Sequence, residues 1–115
     1  MQWGTRYTRL SVDRRDYDRL PIRIAVTIVG PHGAIDAVAT DISLNGCALE
    51  TAGGVPRAGP FALVLHVGDP PIRIDAAVIR FAADRGVGVE FQRLAPAARA
   101  RLAAYVGTLF TARQL

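Results

Sequence analysis

From Ile22 to Phe91 the sequence is a series of short apolar segments, each cut off by turn-forming residues, and this texture more than anything else limits what the chain can become. Ile22, Ile24, Val26 and Ile28 alternate with Arg23, Ala25 and Thr27, the period of two that a half-buried strand requires. A second run spans 34–42 and a third holds Cys47, Ala48 and Leu49, with Asn45-Gly46 between them. Asn-Gly in that setting predicts a tight hairpin with a type I′ turn, since both residues tolerate positive φ.

Residues 51–60 contain three glycines and two prolines and read as a loop. Phe61, Leu63, Leu65 and Val67 alternate as a fourth strand that includes His66 and ends at Gly68-Asp69-Pro70-Pro71. A fifth runs over 72–81 and, after Asp84-Arg85-Gly86, a sixth over 87–91. Six short antiparallel strands favour closure into a β-barrel. Past Phe91 the period changes: Leu94, Ala98, Leu102, Tyr105, Val106 and Leu109 fall three or four apart, with Pro96 placed for a first turn, which predicts a C-terminal α-helix. The expected fold class is mainly β, a six-stranded antiparallel barrel with one C-terminal helix that covers an open end or docks on a partner.

Composition agrees with one folded unit: half of the 115 residues are apolar and 21% are charged. Arg23, Asp36, Asp41 and Asp75 interrupt the longest apolar stretches, so no membrane span is expected. The first nine residues lack an apolar signal core, and the expected location is the cytoplasm. Cys47 has no second cysteine to pair with and reads as a buried structural thiol. His32 and His66 lack the neighbours of a metal site, Gly86-x-Gly88 lacks the helix of a dinucleotide fingerprint, and no nucleophile and base stand together. Neither a metal, a cofactor nor an enzymatic activity is expected.

The charge is more informative. All fourteen basic residues are arginine, none is lysine, and the net charge is +4. Guanidinium forks suit phosphate and guanine, so an anionic partner is indicated. Nucleic acid is disfavoured as that partner, because Phe61, Phe81 and Phe91 are too few to interleave aromatic rings with arginine along the strands. Arg6, Arg9, Arg14, Arg15 and Arg19 lie ahead of the first strand among Asp13, Asp16 and Asp18, in a segment with no strand or helix period.

Two clusters hold the functional signal: Arg14-Arg15-Asp16-Tyr17-Asp18-Arg19, and Asp41-Ile42-Ser43-Leu44-Asn45-Gly46 at the first hairpin. Together they resemble the PilZ family, whose signature is RxxxR followed some way on by DxSxxG. Arg15 and Arg19 match the first part, and Asp41, Ser43 and Gly46 match the second. Gly88, Val89 and Phe91 are similar to the family's closing strand, and the resemblance runs over residues 14–110. It implies a receptor domain over 14–112, preceded by an arm over 1–13, that binds cyclic di-GMP and passes the bound state to a protein partner as a monomer or homodimer. The alternative is a PilZ-like interaction adaptor that has lost the ligand.

The implied residues suit the ligand chemically. An arginine fork donates to guanine O6 and N7 together. A carboxylate such as Asp41 accepts from the opposite guanine edge. Alternation along the strand would place Ser43 on the same face as Asp41, and Gly46 would let backbone approach a flat base. In this family an arginine at the position of Arg14 accompanies two stacked ligand molecules, so that stoichiometry is expected. Arg80 stands where many relatives carry an aromatic, and its guanidinium plane could stack on a base instead.

Overall fold

A computed structural model describes residues 19–31, 33–52, 54, 59–82 and 86–114. The alternating segments form six strands: β1 (Leu20–Gly30), β2 (Gly33–Ile42), β3 (Gly46–Glu50), β4 (Phe61–Leu65), β5 (Ile72–Ala82) and β6 (Val87–Arg93). All neighbours are antiparallel, and the sheet closes on itself in the order β1-β2-β3-β6-β5-β4. Val26, Ile28, Ile42, Leu49, Leu63, Leu65, Ile74 and Val89 fill its interior at 0–1% exposure, so the barrel is a packed core with no lumen. Helix α1 (Pro96–Gln114) buries Leu102 and Val106 against that core and packs on β5 and β1. The expected fold class is what forms.

Three details depart from simple alternation. β4 stops at Leu65, so Val67 and His66 lie outside it. His66 Nε2 is 2.8 Å from Thr27 Oγ1 on β1, where it ties the chain end of β4 to the barrel wall. β1 shifts register between Pro21 and Ile24, where the missing proline N–H would otherwise break the ladder. β2 shifts between Ala39 and Asp41. Regular alternation from Ala37 and Ala39 would keep every second residue inward, which would drive Asp41 into the core.

 

In this chain Ala37 and Ala39 face inward, and Thr40 is the extra residue of a bulge that resets the phase, so Ile42 is fully buried and Asp41 is aimed outward.

Strand direction alternates around the barrel, so the start of β1, the β2–β3 hairpin, the β4–β5 turn and the end of β6 share one rim. α1 leaves from that rim. Arg101 of α1 donates from Nη1 to the Pro71 carbonyl and from Nη2 to the Val67 carbonyl, each at 3.3 Å, which fastens the helix to the β4–β5 turn. Gly68 in that turn has φ +76°, and a Cβ there would meet Arg101 Nη2 at 2.8 Å. A side chain would therefore strain the backbone and crowd the fastening.

Candidate functional site

The β2–β3 connection is built by a serine. Ser43 lies beyond the last residue of β2, so strand alternation does not govern it, and its side chain is buried at 2% exposure. Its Oγ accepts from the backbone N–H of Asn45 (3.1 Å) and of Gly46 (3.2 Å) and donates to the Gly46 carbonyl (3.3 Å). Its own N–H donates to the same carbonyl at 2.9 Å. One donor and two acceptor positions exhaust a hydroxyl, so Ser43 shapes the turn and does not share a face with Asp41.

Gly46 also differs from expectation. It is the first residue of β3, its φ lies outside the left-handed region, and the predicted type I′ turn does not form. Glycine is required there for another reason: a Cβ would stand 2.1 Å from the Val89 carbonyl oxygen, on the backbone of β6. The residue closes the β3–β6 seam, and the Phe91 N–H reaches the Asn45 carbonyl (2.8 Å) beside it.

Asp41 joins the two sequence clusters. Its Oδ1 accepts from the Ala48 N–H at 2.9 Å and from Arg19 Nη1 at 3.0 Å, so residues 22 apart in sequence meet on the outer wall. Both side chains are only partly shielded, 39% exposed for Arg19 and 26% for Asp41, so the contact is open to a competing ligand. Arg14 and Arg15 lie outside the described residues. Behind Asp41, Cys47 points into the core. Burial, with Asp41's charge in support, pushes its thiol up to about 12 from an ordinary 9.0, which leaves it protonated and inert.

One residue on this side of the barrel, Glu90, gave no signal in the sequence. Glu90 of β6 sits directly across from Gly46 of β3, and Arg80 of β5 forms an ion pair with it. Arg80 occupies the register shift between Ile79 and Phe81, and it is engaged edge-on by a carboxylate. That contact uses the edge of the guanidinium and not the face on which the stacking expected for Arg80 would depend. Only strand register identifies Glu90, and register is not readable from one sequence. Among the described residues no cluster of three or more histidines, cysteines and carboxylates could hold a metal, and no helix is long and apolar enough to cross a membrane.

A family profile described as PilZ domain matches residues 13–108. The chain belongs to the PilZ domain family. Among solved structures, the PilZ domain of CeSA from a cellulose-synthesizing bacterium aligns with TM-score 0.62 and 20% identity, over 80% of this chain and 97% of that one. The Bacillus subtilis inhibitor of motility aligns with TM-score 0.62 and 21% identity, over 76% of this chain and 46% of that one. A Legionella protein described as uncharacterized aligns with TM-score 0.60 and 17% identity, over 86% of this chain and all of that one. At these identities the likeness is one of fold. A search of curated proteins gives no match. PilZ domains as a family are cyclic di-GMP receptors or adaptors, and are binding and regulatory units.

Proposed function

We propose that this PilZ domain is a cyclic di-GMP receptor whose site is formed by Arg14, Arg15 and Arg19 from the N-terminal side and by the β2–β3 hairpin from the barrel. The observation that carries the reading is the Arg19–Asp41 contact at 3.0 Å, which brings the last arginine of one motif onto the first residue of the other. Asp41 supplies a carboxylate acceptor for guanine N–H groups, and the arginines supply forked donors for guanine and for the two phosphates. Ser43 and Gly46 act through the backbone: they fix the turn and the seam that hold Asp41 in place. Arg14 adds charge for a second, stacked ligand molecule.

The binding unit is residues 14–112. Its bound state is relayed to a protein partner in the cytoplasm; the arm over 1–13 lies outside the described residues. Isothermal titration with cyclic di-GMP, with GTP as control, tests this. Saturable binding is expected, with two ligands per chain, and Arg15→Ala or Arg19→Ala should abolish it. Equal binding by the wild type and both variants rejects the assigned site.

A second reading is an adaptor that no longer takes the nucleotide. The same Arg19–Asp41 pair favours it, since the two groups already engage each other without a ligand. Titration without heat in the wild type, together with a pull-down indifferent to nucleotide, would select it.

A further inference from the structure

Opposite the Arg19–Asp41 pair, the outer wall carries a second contact of the same composition. Asp41 pairs in register with Ala48 of β3, Ala48 with Gly88 of β6, and Gly46 with Glu90, so Ala48, Gly46, Gly88 and Glu90 face the same way as Asp41. Between the two carboxylates, no outward position on β3 or β6 bears a side chain larger than the Ala48 methyl. Two strand spacings and a two-residue offset separate Asp41 from Glu90, about 12 Å along the wall, which is too far for one base to touch both.

The two contacts also match in what they leave unused. Arg19 holds Oδ1 of Asp41, and both Nε and Nη2 of Arg80 converge on Oε1 of Glu90. Oδ2 of Asp41 and Oε2 of Glu90 have no partner among the described residues. Each pair therefore presents a spare carboxylate oxygen beside a guanidinium with N–H groups to donate. That juxtaposition of acceptor and donor complements a guanine, where the O6 acceptor adjoins the N1–H and N2–H donors. Adenine carries the opposite order at this edge, an N6–H donor beside the N1 acceptor, so it fits only turned over and lacks guanine's second N–H donor. An exposed pair adds little to stability, 59% exposed for Arg80 and 43% for Glu90, so the fold does not account for its place beside Gly46.

We propose that Arg80 and Glu90 form a second guanine-recognition station, which makes Glu90 a specificity-determining residue for a ligand with two guanines. The inference rests on the cyclic di-GMP reading and deepens it. Asp41 with Arg19 takes one guanine edge and Glu90 with Arg80 takes another, over a strip that carries nothing larger than the Ala48 methyl.

The test is titration of the whole chain with cyclic di-GMP and with the mixed 3′,3′-cyclic GMP–AMP. Wild type, Glu90→Ala, Glu90→Gln and Arg80→Ala are compared, with Arg73→Ala as a control that breaks the exposed Arg73–Asp75 pair elsewhere on β5. Thermal unfolding verifies that each variant is folded. Glu90→Ala and Arg80→Ala should weaken cyclic di-GMP binding about tenfold, the loss of one good donor–acceptor pair. They should leave the mixed dinucleotide nearly unchanged, so that wild-type preference for cyclic di-GMP narrows by the same factor, and Glu90→Gln should fall between. Arg73→Ala should match wild type. Unaltered affinities in the Glu90 and Arg80 variants, or equal losses for both ligands, overturn the station while the receptor reading stands. A wild type that binds neither ligand overturns the receptor reading and the station with it.

Discussion

Two turns on the same rim of the barrel are held in opposite ways. The Ser43–Gly46 turn is held from within, by a buried hydroxyl that satisfies two N–H groups and one carbonyl of its own loop. The β4–β5 turn is held from outside, by Arg101 of α1 reaching the carbonyls of Val67 and Pro71. A turn that needs nothing from the helix can carry a binding site whose geometry survives movement of the helix. A turn that depends on the helix reports where the helix is. The difference separates a turn that is independent of α1 from one that is tied to it.

The strongest way to break the comparison is at the seam beside the first turn. Gly46→Ala places a methyl against the Val89 carbonyl, which is backbone and cannot swing aside, so a stability loss of at least about 3 kcal/mol is expected in urea unfolding. Near-wild-type stability would show that the seam yields. Asp41→Asn acts on function instead. It keeps an oxygen for the Ala48 N–H but removes the charge, and binding of cyclic di-GMP should weaken by about a hundredfold at unchanged melting temperature, in keeping with the loss of a charge-assisted contact.

The second turn gives a smaller and complementary effect. Arg101→Ala strips two carbonyls of their donor and should cost about 1–2 kcal/mol, with faster amide exchange in α1 and an unchanged ligand affinity. A parallel loss of affinity would mean that the two turns are not independent. The mildest test is alkaline pH. The Cys47 thiol titrates near 9.0 when exposed and near 12 in the fold, so the folded state resists ionisation that the unfolded state permits. Its contribution is intact below pH 9 and is lost as pH climbs toward 12, and Cys47→Ala should flatten that decline in a pH series of unfolding curves.

Much of this was readable in the sequence, and the failures have specific causes. Alternation at Ile22–Ile28 and the three-to-four spacing of Leu94–Leu109 announced the barrel and its helix, because burial against one core imposes those periods. Asp41 was singled out by its motif, but its outward aim depends on the bulge at Thr40, an irregularity that no periodic rule anticipates. Asn45-Gly46 suggested the wrong turn since the serine two residues earlier offered the backbone a competing set of hydrogen bonds. Glu90 was invisible because its significance comes from facing Gly46 across a strand pair, a relation between residues 44 positions apart.

Closure of the sheet has one more implication. With every strand hydrogen-bonded on both sides, no strand can slide without all six sliding, so the interval between Asp41 and Glu90 is set by the backbone as firmly as marks on a ruler. Substitutions along the wall can change which groups stand at either mark, but the gauge itself stays fixed.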